Sequence, residues 1–169
     1  MEEQADGRQD DWAEGHNHPM QRFQKPGWIT AHVLNPLVAA LTRGGLSVHG
    51  SRVLAVRGRT SGEIRTTPVN LLTVDGTRYL VAPRGHTQWV RNLRASGEGR
   101  LWLGRRAESF VATELGDDEK PPLLRAYLKR WKAEVGVFFG GVGPDSSEDE
   151  LRRIAPDHPV FKLGPAPGG

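Results

Sequence analysis

The sequence predicts an α+β domain: a small β-barrel of antiparallel strands with peripheral helices. Three observations point there. Five or six short segments rich in Val, Leu and Thr are punctuated by turn-forming residues. They follow one another as meanders, which argues against a βαβ sheet. Apolar residues at helical spacing are confined to a few stretches around them. The 169 residues fit one domain of ordinary size. A chain this long buries roughly 70% of the surface its unfolded form exposes, so a core can form without staples.

Each element has a local reason. Residues 1–26 are polar and without periodicity, and are expected to form a disordered, acidic N-terminal tail ahead of a domain over 27–164. Trp28, Val33, Leu34, Leu37, Val38 and Leu41 fall at helical spacing, with Pro36 as a kink and Gly44-Gly45 as the end. Arg52 to Arg57 reads as a strand and Gly58 to Gly62 as a turn. Thr66 to Val74 is a second strand, and Asp75-Gly76 is a two-residue hairpin signal before Arg78 to Ala82. Thr87 can cap a short helix, Gln88 to Ser96, whose Trp89, Val90 and Leu93 share a face. Arg100 to Leu103 and Ala107 to Thr113 are further strands, joined by Gly104-Arg105-Arg106. Pro121-Pro122 suits a helix start, and Leu123, Leu124, Tyr127, Leu128 and Trp131 fall on one side of that helix. Ser147 with Glu150 forms a capping box for a short helix through Ile154. His158 to Leu163 reads as a closing strand, and residues 165–169 as a frayed C-terminal tail.

The absence of cysteine excludes disulfides, thiolate metal sites, iron–sulfur clusters and cysteine nucleophiles, and fits a reducing compartment. No apolar run approaches the ~20 residues needed to span a bilayer. The acidic start MEEQADGRQD has no signal-peptide pattern. A cytoplasmic protein with no membrane span is expected.

Charge is distributed unevenly. Residues 52–106 hold 11 arginines and no lysine against Glu63, Asp75 and Glu98, whereas residues 1–20 hold six acids against Arg8. So basic a middle segment points to an anionic partner, and arginine's planar fork suits phosphate or carboxylate.

Several chemistries find no support. Gly141-Val142-Gly143 lacks the third glycine and the βαβ surroundings of a dinucleotide fingerprint. Gly58 to Gly62 lacks the length and lysine of a phosphate loop. No GxSxG elbow and no HExxH occurs, and His32, His49, His86 and His158 are scattered. His16 and His18 have no third ligand nearby, so no metal site is expected.

Two segments concentrate what remains. Arg57 to Pro68 brings backbone amides, hydroxyls and three guanidinium groups to one turn, a nest suited to an anion. Ala82 to Arg94 feeds a strand end into a helix N-terminus, itself favourable to negative charge. Within them stand Gly58-Arg59-Thr60-Ser61-Gly62-Glu63-Ile64-Arg65-Thr66-Thr67-Pro68 and Trp89-Val90-Arg91-Asn92-Leu93-Arg94-Ala95.

In order and spacing these motifs, over about residues 50–115, resemble the deazaflavin (F420)-dependent nitroreductase family, a branch of the FMN-binding split β-barrel superfamily. The resemblance implies a split β-barrel with coenzyme F420 lying across it. It implies a phosphate and oligoglutamate tail held by Arg59, Thr60, Ser61 and Arg65. The ring would be lined by Thr66, Thr67, Pro68, Val69 and Asn70. Ala82, Pro83, Arg84 and Gly85, then Gln88, Trp89, Val90, Arg91 and Asn92, would close over the linker and phosphate. Three departures from the family pattern stand out. Thr60 occupies a position where many members carry lysine, the loop from Ala82 to Trp89 is shorter than usual, and the C-terminal third matches weakly.

The implied activity is hydride transfer from reduced deazaflavin to a small-molecule electron acceptor such as a quinone or nitro compound. A homodimer is a further possibility that the superfamily suggests. Tyr127 and Trp131 sit on a helix that could roof the pocket, but a packing role is favoured for each, and the proton donor stays unknown. Two alternatives remain open: a split barrel that binds FMN or another flavin- or tetrapyrrole-like ligand, and a basic nucleic-acid-binding strip using Trp89, Trp102 and Arg59. The second is disfavoured because aromatic residues are few in the basic segment.

Overall fold

Alternating apolar residues along the central strands close into a six-stranded antiparallel barrel in the computed structural model, which describes residues 51–103 and 105–168. The expected N-terminal tail, the helix from Trp28 to Leu41, Gly104, and His16, His18, His32 and His49 lie outside the described residues. The strands are β1 (Ser51–Arg57), β2 (Ile64–Val74), β3 (Thr77–Val81), β4 (Glu98–Leu103), β5 (Arg106–Glu114) and β6 (Val160–Pro165). The helices are α1 (Gln88–Ser96), α2 (Pro121–Val135) and α3 (Glu148–Ile154). Around the barrel the order is β1-β2-β3-β6-β5-β4, so the class is α+β, as expected. Among the described residues no helix is long and apolar enough to cross a membrane.

The hairpin β2–β3 pairs Val74 with Thr77 across Asp75-Gly76, whose φ values of 49° and 76° give the left-handed turn that matches strand twist. Period-two alternation then sorts the side chains. Leu54 and Val56 of β1, Val69 of β2, Leu80 of β3, Leu101 of β4, Phe110 of β5, and Phe161 and Leu163 of β6 fill the barrel. Val90 and Leu93 of α1 join the same cluster, with Trp89 packed against it. The outward residues Leu72, Val81 and Val160 meet α2 through Leu123, Leu124, Tyr127, Leu128 and Trp131, the face expected from helical spacing. Ser147 caps α3 through the expected box: Glu150 N–H donates to Ser147 Oγ at 3.3 Å, and Ser147 N–H to Glu150 Oε2 at 2.9 Å.

The ends of elements differ from expectation. β2 begins two residues earlier than expected, at Ile64, because the turn closes at Glu63. β6 begins at Val160, since residues 155–157 form a 3-10 turn, and it runs on to Pro165, which pairs with Phe110. The segment expected to fray therefore contributes its first residue to the barrel.

Candidate functional site

Two turns of chain meet beside α1. The first is closed by Gly62 N–H to Gly58 O at 2.9 Å and Gly58 N–H to Glu63 O at 2.7 Å. It holds Arg59, Thr60 and Ser61 exposed. Arg59 is tied to α1 three times: its N–H donates to Asn92 Oδ1 at 3.2 Å, and its Nη1 to Asn92 Oδ1 at 2.9 Å and to Gln88 Oε1 at 2.8 Å. The two motifs, 33 residues apart at Arg59 and Asn92, thus form one unit. Both acceptors are neutral amides, so these bonds orient the guanidinium without neutralising its charge.

Beyond the turn, β2 pairs with β1 along Ile64–Asn70, but its pairing with β3 begins only at Leu71. The second edge of residues 64–70 therefore carries no strand among the described residues. Thr66, Thr67 and Pro68 are half-buried there, while Val69 and Asn70 are buried. Arg65 pairs with Glu63 at 3.0 Å on the open surface, where such a pair is easily exchanged.

Not every expected residue offers its side chain. Val90 and Ala82 are buried in the barrel core and Asn92 is only 4% exposed, so these side chains pack or position rather than line a ligand. Trp89 leans on Phe161 with ring centres 6.0 Å apart, a packing role. Thr87 stands at the N-cap of α1, but its hydroxyl makes no capping bond; Thr87 Oγ1 is covered and has no hydrogen-bond partner among the described residues. Gln88 and Arg91 are exposed, and among the described residues Arg91 forms no salt bridge. Pro83, Arg84 and Gly85 line a pocket of about 730 Å³ shared with Phe138, Phe139, Gly140, Arg153, Ile154, Asp157 and His158.

The pocket's C-terminal half escaped sequence reasoning because its pieces lie far apart along the chain. A faint signal was present in Val137-Phe138, an apolar pair just ahead of Gly140-Gly141; both residues are exposed, Phe138 by 38%. The buried His158 stacks on Phe139 at 4.2 Å and 19°, with Nδ1 3.3 Å from Ala82 O. Burial holds its imidazole below the usual value, against the raising effects of that carbonyl and of Asp157.

Tyr127 and Trp131 are buried with ring centres 4.8 Å apart, so both pack. Burial pushes the Tyr127 hydroxyl up to about 12 despite its hydrogen bond with Asn70, so it holds its proton at neutral pH.

Three arginines of the basic segment are engaged with glutamates. Arg94 grips Glu114 with two bonds of 2.6 Å, Arg78 grips Glu108 at 2.7 and 2.8 Å, and Arg65 meets Glu63. The strip is thereby less cationic than its composition, which weakens the nucleic-acid alternative.

Comparison with known proteins agrees with this geometry. A solved F420-H2 dependent reductase, FDR-A, shares 18% identity at a TM-score of 0.50, covering 69% of this chain and 95% of its own. A domain-swapped dimer shares 19% at 0.50, covering 80% and 98%. A protein of unknown function from Agrobacterium tumefaciens shares 21% at 0.50, covering 68% and 47%. At such identities these similarities speak for the fold. No curated protein matches. The model of the F420H(2)-dependent quinone reductase family matches residues 25–137, from ahead of the barrel's first strand through the end of α2. The chain belongs to that family and is an F420-dependent oxidoreductase.

Proposed function

We propose that the chain reduces quinones or electron-poor nitro compounds with its cofactor seated between the Arg59 turn and the open edge of β2. Arg59 carries this reading: it is fixed by two neutral amides, exposed, and still fully charged toward solvent.

The residues present fit F420. Its anionic tail matches Arg59, the exchangeable Arg65 and the exposed hydroxyls of Thr60 and Ser61. A flat heterocycle matches the edge of β2 from Thr66 to Asn70, which pairs with no second strand among the described residues. Reduced F420 supplies a hydride when bound, and one further proton completes the reduction of a quinone to its hydroquinone.

The chain's own contribution is to bind and orient. Asn92 and Gln88 hold Arg59 in place before any ligand arrives. Asn92 acts from beneath as a positioning residue, because it is itself buried.

Titration with F420, followed by tryptophan quenching and with FMN run in parallel, tests the reading. F420 binding is expected to weaken at least roughly ten-fold in Arg59→Ala, the effect of losing one charge-assisted contact. Asn92→Ala is expected to lose part of that affinity. Preference for FMN, or an affinity indifferent to Arg59, would refute the assignment.

Pairing of two chains belongs to the same reading and has a precedent in the domain-swapped relative. Light scattering is expected to give about twice the 18.6 kDa chain mass, and a monomer at assay concentration contradicts it.

A further inference from the structure

The pocket beyond the Pro83–Gly85 loop has a chemistry of its own. Of the residues that the resemblance gives to the cofactor, Pro83, Arg84 and Gly85 line it, whereas Arg59, Thr60, Ser61, Arg65 and the open edge of β2 do not. Two guanidinium groups do, those of Arg84 and Arg153, against one carboxylate, Asp157. Neither arginine forms a salt bridge among the described residues. The Arg84 guanidinium carbon sits 4.8 Å above the Phe138 ring, and that ring is 38% exposed. Beside it, the stacked pair Phe139 and His158 is buried. A half-exposed aromatic face next to two guanidinium groups that form no salt bridge among the described residues suits a ligand that is flat on one side and negative on another. The ring covers apolar surface and stacks on Phe138 or the guanidinium plane, while the anion takes the guanidinium fork.

We propose that this pocket receives the electron acceptor and favours planar aromatic acceptors carrying an anionic group, a carboxylate or sulfonate, over neutral ones of the same ring size. The proposal rests on the reading above, in which the cofactor lies at the Arg59 turn and leaves this pocket to the substrate. Within the pocket, Arg153 is a specificity residue rather than a catalytic one. It lies on α3, outside every segment assigned to the cofactor.

Equilibrium dialysis of the full-length protein tests it with three probes: a naphthoquinone bearing a sulfonate on the quinone ring, menadione, which carries a methyl group in its place, and inorganic sulfate. The sulfonate is expected to bind at least roughly ten-fold tighter than menadione, the effect of one charge-assisted contact in a partly open site. Sulfate, with no ring to stack, is expected to bind more weakly than the sulfonate. Arg153→Gln, a change on an exposed helix position, is expected to remove most of the sulfonate preference while F420 affinity, read by the cofactor's own fluorescence, stays put.

Equal binding of the two naphthoquinones, or a preference that survives Arg153→Gln, overturns the proposal. Sulfate binding as tightly as the sulfonate does so as well, since the aromatic requirement is then gone. If Arg153→Gln weakens F420 instead, the pocket belongs to the cofactor and the proposal fails. If the wild-type protein binds no F420 while the sulfonate preference holds, it is the cofactor reading that fails. The pocket then keeps its selectivity and loses its role as the acceptor site.

Discussion

His158 illustrates how one side chain reports on a whole neighbourhood. Buried against Phe139 and facing Ala82 O, it is held below its usual value of 6.5, mainly by loss of solvation. A histidine whose folded value is depressed favours folding while neutral, so its contribution is present above 6.5 and fades as pH falls toward and through the folded value. Nearby charges oppose one another: Asp157 raises the value and Lys120 lowers it. The melting temperature is therefore expected to decline as the pH drops from neutral into the range below 6.5. His158→Gln removes the titration and is expected to flatten that decline, at a cost of about 1 kcal/mol at neutral pH from the lost ring stacking. Glu108 and Glu114, held below the usual carboxylate value of 4.5 by hydrogen bonds from Arg78 and Arg94, lose their contribution only at more acid pH. The two windows are thus separable in one series of thermal melts. A slope between neutrality and pH 6 that persists in His158→Gln would assign the sensitivity elsewhere.

At the scale of elements, the loop between β3 and α1 sets both halves of the site. Gly85 has φ of 76°, and a Cβ there would stand 2.9 Å from Asp157 O, so the loop approaches the 155–157 turn as only glycine allows. Gly76 has the same φ with nothing near its open side. Gly76→Ala should therefore cost only the left-handed penalty, about 1–2 kcal/mol, and Gly85→Ala more, because the pocket wall must also shift. Urea midpoints of the two variants make the comparison, and equal costs would mean that the close approach carries no energy.

This loop also shows what the sequence made legible. The alternation in β1 to β3, the Asp75-Gly76 turn, the apolar face of α2 and the Ser147 box are local patterns, and each appears where expected. The partners of Arg94 and Arg78 are 20 and 30 residues away, so the basic segment read as freer than it is. The pocket was illegible for the same reason: Arg84 and Arg153 come together only after β6 has returned the chain to β3. Asn92, expected to touch a ligand, holds Arg59 from below, a distinction that spacing alone cannot make.

The molecule as a whole depends on β6. It pairs with β3 from Arg78 to Val81 and with β5 from Phe110 to Glu114, so it closes the ring between strands that otherwise do not meet. The family match ends at residue 137, before this strand, so the part of the chain with the weakest family signal supplies the closure. Val160, Phe161 and Leu163 are all nearly inaccessible. Losing large core side chains costs about 2–5 kcal/mol each, and the edges of β3 and β5 would lose their hydrogen bonds together with cover for Leu80 and Phe110. Against a total stability of about 5–15 kcal/mol for a domain, that loss is decisive. A chain ending at Pro159 is therefore expected to show no cooperative unfolding transition and to expose apolar surface to a hydrophobic dye. The intact 169-residue chain carrying Lys162→Ala, an exposed β6 position, is expected to unfold as the wild type does. A sharp transition in the shortened protein would mean that five strands suffice, and that closure serves the pocket rather than the fold.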